Sequence, residues 1–114
     1  MPRFVLLALI LGRLLAPQVL AQSITASLEG VVHDPTGAVI PGATAHVVNT
    51  ATNAKSTFVT GPAGRFLAPS LPPGPYLIVV EAAGFRKLER GGVELQVAQA
   101  ARLDLTLEVG AVAD

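Results

Sequence analysis

The chain has 114 residues, no cysteine and no tryptophan, and eight basic side chains against eight acidic ones. That excludes a disulfide scaffold and leaves no clustered basic surface of the kind a nucleic acid requires. Its length bounds it to one domain with one modest hydrophobic core.

The chain opens with Met1-Pro2-Arg3, a positive start, followed by an unbroken apolar run from Phe4 to Leu11. Val19-Leu20-Ala21 then places tolerated residues ahead of Gln22. This order predicts a secretory signal peptide over residues 1–21, cut before Gln22, and hence an exported protein. Arg13 splits the apolar stretch, so its uninterrupted part is about nine residues, well short of the roughly twenty that a spanning helix needs. Pro17 helps to end the helix before the cut. With export and no cysteine, stability has to come from the core of the domain in residues 22–112. From Gln22 onward six basic residues face eight acidic ones, a formal charge of minus two.

After Gln22 the apolar residues recur with period two and never with a sustained helical period. Leu28, Gly30 and Val32 form one such set, as do Tyr76, Ile78 and Val80, and Val93, Leu95 and Val97. The cleanest alternation runs from Arg102 to Val109, a strand with one buried face. Between the runs lie Pro35-Thr36-Gly37, Gly61-Pro62-Ala63-Gly64, Pro72-Pro73-Gly74 and Gly91-Gly92, each a breaker cluster that supplies fixed or positive φ. Short strands separated by such turns predict an all-β fold, with strands at about 26–33, 43–49, 55–60, 65–70, 75–82, 92–98 and 102–109. Residues 50–54 are expected to form a hairpin turn with Asn53 in the left-handed region. Pro41 precedes its strand, where a missing N–H costs nothing, and Phe66, Tyr76 and Phe85 are the expected aromatic core.

Two related punctuation patterns stand among these runs and define a small β-sandwich: Asp34-Pro35-Thr36-Gly37 closing into Pro41-Gly42-Ala43, and Gly64-Arg65-Phe66 leading to Leu71-Pro72-Pro73-Gly74-Pro75-Tyr76. The segment Gly30 to Ala43, with Gly61-Pro62-Ala63-Gly64-Arg65-Phe66 and the Ala83-Gly84-Phe85 that follows the Tyr76 strand, resembles the carboxypeptidase regulatory-like (transthyretin-like) domain, in particular the copy at the N-terminus of TonB-dependent outer-membrane receptors. The resemblance implies a seven-stranded Greek-key β-sandwich, grouped with carbohydrate-binding-like folds, and a noncatalytic accessory role without cofactor. It also implies a place in the periplasm or at the outer membrane, with secretion as the alternative. Its partners would be the plug and barrel of a receptor or another envelope protein, with carbohydrate as the alternative. Residues 105–112 look like the linker that such receptors run into before the plug, whereas the plug and the barrel strands themselves are missing.

The residues themselves offer little chemistry. His33 adjoins Asp34 at the end of the first strand, and His46 falls out of phase with Ala45 and Val47, on the solvent face. Two such histidines read as strand and turn residues, so no metal site is expected. Ser23, Ser27, Ser56 and Ser70 lack a nucleophile-elbow context. Glu29, Glu81, Glu89, Glu94, Asp104 and Glu108 mostly alternate with apolar residues, as an outer sheet face does. Gly61 to Gly64 and Gly91-Gly92 are not followed by Lys-Ser/Thr or by a helix, so they are not phosphate loops. Arg86, Lys87 and Arg90 read as a solvated loop or edge-strand face. Catalytic, cofactor and metal residues are accordingly expected to be none. A sugar-stacking platform is disfavoured by the absence of tryptophan and by a single tyrosine that the alternation buries.

Overall fold

The structure, a computed structural model, describes residues 24–110; the expected signal peptide lies outside the described residues. Seven strands form: β1 (Ala26–His33), β2 (Thr44–Asn49), β3 (Lys55–Val59), β4 (Arg65–Leu71), β5 (Gly74–Glu81), β6 (Leu88–Leu95) and β7 (Ala100–Thr106). They pair into a three-stranded sheet in the order β4-β1-β7 and a four-stranded sheet in the order β3-β2-β5-β6. Every pairing is antiparallel except that of β1 with β7, which is parallel and runs from Ser27↔Ala100 to His33↔Thr106.

The period-two pattern decides which face each strand buries. Along β1, Ala26, Leu28, Gly30 and Val32 point inward and Ser27, Glu29, Val31 and His33 outward. Along β2 and β5 the inward sets are Ala45, Val47 and Asn49, and Tyr76, Ile78 and Val80. Leu28, Val32, Val47, Ile78, Val80, Leu105 and Leu107 are fully buried between the sheets, each contributing about 1.5–3 kcal/mol of transfer free energy relative to an exposed side chain. Phe66 of β4 lies across Gly30 of β1, and Phe58 stacks on Phe66 with ring centroids 6.1 Å apart.

Two details of the pairing shape the sheet edges. Ala26 faces Leu71 while Leu28 faces Ala68, so Pro69 and Ser70 bulge opposite the single residue Ser27. In the other sheet Tyr76 faces Val93 and Ile78 faces Arg90, so Gly91 and Gly92 bulge opposite Leu77. The Gly91-Gly92 pair is therefore not the turn that opens the sixth strand. That strand begins at Leu88 and ends at Leu95, with Gly92 at a φ of 70° inside it. A bulge of two residues against one is what glycine in the left-handed region permits. Val97, expected in the buried alternation, sits exposed in the connection that follows, and Val109 at the far end of the last alternation is exposed as well.

The other local expectations agree with the structure. Asn53 has a φ of 64°, and Pro41 precedes β2. Phe66 and Tyr76 are buried, and Phe85 packs against the core half-buried.

Candidate interaction surface

The strand directions bring the connections 34–43, 60–64, 82–87 and 107–110 to one end of the sandwich, where backbone hydrogen bonds tie them together. Val32 N donates to Gly64 O, Gly42 N to Thr60 O, and Arg86 N to Glu108 O. Gly64, at a φ of 70°, is held so close that a Cβ there would lie 2.7 Å from Val32 O and 2.8 Å from Val39 Cβ. Polar side chains at this end work on the loops themselves. Asp34 Oδ1 accepts from Thr36 N at 2.9 Å, from the Thr36 hydroxyl at 2.6 Å and from Ala38 N at 3.1 Å. The Thr36 hydroxyl is the main reason the Asp34 carboxyl stays below the ordinary aspartate pKa, with the backbone amides adding to it. Thr60, buried, accepts from Ala43 N at 2.9 Å and donates to Ile40 O at 2.7 Å.

The opposite end follows the same logic. Asn49 is buried and its Oδ1 accepts from Ala51 N and Thr52 N, closing the β2–β3 turn. Tyr76 donates its hydroxyl to Pro72 O at 2.6 Å, which anchors the Pro72-Pro73 connection.

The histidines are not brought together. His33 belongs to the three-stranded sheet and its Nδ1 lies 3.2 Å from the backbone carbonyl of Asp34 rather than from the carboxylate. His46 belongs to the other sheet and its Nδ1 lies 3.0 Å from Thr57 Oγ1. Among the described residues no group of three or more His, Cys, Asp or Glu side chains converges as a metal site would require. Arg86 and Lys87 lie exposed in the 82–87 connection and Arg90 on β6, so the basic group spans a loop and an edge strand.

What remains available is the outer faces of the two sheets. On the three-stranded face Glu29 of β1 stands between Arg65 of β4 and Arg102 of β7, with Arg65 Nη1 4.0 Å from Oε2 and Arg102 Nε 3.8 Å from Oε1. Both arginines are mostly exposed, so each contact is worth at most about 1 kcal/mol. Leu67, directly opposite Glu29 on β4, is 58% exposed beside them. This arrangement of two cations, one anion and an aliphatic side chain was missed in the sequence. The alternation signal places each residue on an outer face, but only the non-local pairing of β1 with both β4 and β7 makes them neighbours. On the four-stranded face the cross-strand pairs His46↔Val79 and Val48↔Leu77 lie in the outward phase, with Glu81 and Glu89 beside them.

The family model of the carboxypeptidase regulatory-like domain matches residues 27–108. No curated protein matches the chain. Among solved structures, a candidate carbohydrate binding protein from Bacteroides uniformis ATCC 8492 is similar with a TM-score of 0.60 and 18% identity, over 73% of this chain and 41% of that one. The Bacillus anthracis TIE protein is similar with a TM-score of 0.62 and 25% identity, over 76% of this chain and 17% of that one. The wild-type catechol 1,2 dioxygenase of Acinetobacter radioresistens is similar with a TM-score of 0.59 and 16% identity, over 79% of this chain and 53% of that one. The chain thus spans well under two thirds of each of these structures, and the likenesses are likenesses of fold.

Proposed function

The chain belongs to the carboxypeptidase regulatory-like domain family, and from that premise we propose that it is a noncatalytic accessory module of the cell envelope that works by contact with other proteins. In this reading residues 1–21 direct export and residues 22–112 form the domain. The module stands either as the N-terminal extension of a TonB-dependent receptor, next to its plug and barrel, or as a freestanding exported copy.

The observation that carries the reading is the division of labour among polar side chains. Asp34, Asn49, Thr60 and Tyr76, the groups best placed at the two loop ends, are engaged in holding turns. Glu29, Arg65, Arg102 and Leu67 instead present a mixed charged and aliphatic outer face, the kind of surface a protein partner reads. A carbohydrate partner has less support. The aromatic rings of Phe58, Phe66, Tyr76 and Phe85 are buried or half-buried, and no tryptophan is present to offer a stacking face.

The test has three readouts. Expressed from its own coding sequence in a Gram-negative host, the product should start at Gln22 by intact mass and fractionate with the envelope; a cytosolic product retaining Met1 would overturn the export half. The coding DNA beyond Asp114 distinguishes a receptor extension from a freestanding copy. A panel of oligosaccharides should leave the melting temperature unchanged, since a ligand that binds only the folded form must raise it. A concentration-dependent rise with one sugar would move the function to carbohydrate binding.

A further inference from the structure

Four strands end the two sheets, and three of them carry features that discourage further pairing. β4 has Pro69 in a bulge, β6 has the Gly91-Gly92 bulge, and β3 is five residues long and begins with Lys55. Proline, bulges, short length and lysine are the devices by which natural sheets block their edges. Among the described residues β7 itself has none of them and no strand pairs with its outer side; the 84–86 segment bonds only to the chain beyond it, at Glu108 and Gly110. β7 runs regularly for seven residues with no proline, glycine or register shift against β1.

The hydrogen-bonding parity of that edge follows from two bonds at the ends of the β1–β7 ladder. Ser27 N donates to Gln99 O at one end, and Leu107 N donates to His33 O at the other. In a parallel ladder the residues bonded to the neighbour alternate, so the odd-numbered residues of β7 face β1. The backbone N–H and C=O groups of Ala100, Arg102, Asp104 and Thr106 therefore point away from the sheet.

We propose that this free edge of β7 is a homodimerisation edge, taking β7 of a second copy in antiparallel register about a two-fold axis at Leu103. The register is set by parity and charge together. Only even-numbered residues can face even-numbered ones across the new seam, as hydrogen-bonded pairs. Centred on Leu103, the seam pairs Arg102 with Asp104 of the second copy, Asp104 with Arg102, and Ala100 with Thr106 at each end. That amounts to roughly eight new N–H···O bonds along a seven-residue strand. The neighbouring registers allowed by parity set Arg102 against Arg102, or Asp104 against Asp104, and like charges directly opposite are destabilising. Arg102 and Asp104 share the outer face, so the charge pairs form there beside Glu29. On the inner face Leu103 meets its own copy and Ala101 meets Leu105. Ala101 and Leu103 are only partly buried in the single chain, although both pack against the core, and the second copy covers them. The product is a continuous six-stranded sheet in the order β4-β1-β7-β7-β1-β4. The inference is independent of the envelope role, since it concerns only this chain and its copy.

The experiment is sedimentation equilibrium of the mature chain from about 10 µM to 1 mM, with two single variants, Arg102→Glu and Asp104→Lys, examined alone and mixed. The wild type should show a monomer–dimer equilibrium. Each variant alone sets like charges at both pairs and should weaken the dimer at least about tenfold. Mixed in equal amounts, the variants should form a heterodimer. The carboxylate introduced at position 102 of one chain then faces the ammonium introduced at position 104 of the other, while the unchanged Asp104 of the first faces the unchanged Arg102 of the second. Loss of folding cannot imitate that rescue, and circular dichroism of each variant verifies the fold independently. A wild type that stays monomeric through the range overturns the proposal, as it would if another segment occupied the edge. A dimer indifferent to both variants, or variants that fail to rescue each other while folded, overturns it equally.

Discussion

The ring of Phe66 fills the space above Gly30 where any other residue would carry its side chain. A Cβ built on Gly30 would overlap the Phe66 ring at Cε1 and Cζ and would lie 2.9 Å from Cδ1. The two residues face each other across β1 and β4, so the smallest side chain of one strand and the largest aromatic of the next make one packing unit. The ring also has Phe58 stacked on it from the other sheet, so it cannot swing aside freely.

Gly30→Ala is therefore expected to destabilise the domain by about 1–3 kcal/mol through overpacking. Phe66→Ala should cost about 3–5 kcal/mol through the cavity it leaves. Combining Gly30→Ala with Phe66→Leu should cost less than the sum of the two single changes, because the smaller side chain makes room for the new methyl. Urea unfolding of the four proteins in a double-mutant cycle measures the coupling, and strict additivity would mean that the two positions do not share this space.

Thr60, which directly follows β3, holds the 34–43 connection by accepting from Ala43 N and donating to Ile40 O while buried. Thr60→Val keeps the shape and removes both bonds, leaving a buried N–H and a buried carbonyl unpaired. The expected loss is roughly 2 kcal/mol or more, against under about 1 kcal/mol for Thr60→Ser, which keeps the hydroxyl. Little or no loss for valine, which keeps the methyl, together with a larger loss for serine in thermal or urea unfolding would assign the role of Thr60 to its methyl group.

Asp34 should make the stability of the first connection depend on acid. Its folded-state pKa is lowered, chiefly by the Thr36 hydroxyl. Its contribution is thus complete above the unfolded-state value and is lost as the pH falls through the folded one. The melting temperature of the wild type, relative to Asp34→Asn, should be flat near neutrality and decline once the pH drops below about 4. A difference that does not change between pH 7 and pH 3 would show that the carboxylate charge is irrelevant to the turn.

Ala98 sits in the β6–β7 connection at a φ of 62°, a left-handed conformation without the permissive side chain that Asn53 supplies in its own turn. For an alanine that conformation costs roughly 1–2 kcal/mol. Ala98→Gly should therefore stabilise the domain by a few tenths to about 1 kcal/mol, the gain being reduced by the greater freedom of glycine in the unfolded chain. A lower melting temperature for the glycine variant would mean that the exposed alanine makes contacts worth more than its strain.

Much of this architecture was legible in the residues. Alternation located the strands, and it phased Leu28, Ile78 and Leu105 inward, because a sheet with one dry face imposes period two on its sequence. Turn chemistry located the β2–β3 hairpin and Asn53. Gly91-Gly92 misled because a bulge and a turn use the same residue for the same positive φ; only the partner strand, with Leu77 alone opposite the pair, distinguishes them. The parallel pairing of β1 with β7 was not legible, since nothing local in either strand records a neighbour more than seventy residues away. The surface around Glu29 was hidden for the same reason, as Arg65 and Arg102 reach it from strands that sequence proximity does not connect.

That parallel pairing also sets how the domain would respond to being pulled. The chain enters β1 at one end of the sandwich and leaves β7 at the other, with seven residue pairs in register between Ser27 and His33. Tension applied through the two ends slides the strands along each other and loads the whole ladder at once, whereas tension applied at one end would peel the bonds singly. Handles at Ile24 and Gly110 should give a higher rupture force in an optical trap than handles at Ile24 and Gln99, and equal forces would place the mechanical weak point elsewhere. A module joined in this way between an anchored body and a mobile partner would act as a stiff link rather than an extensible one.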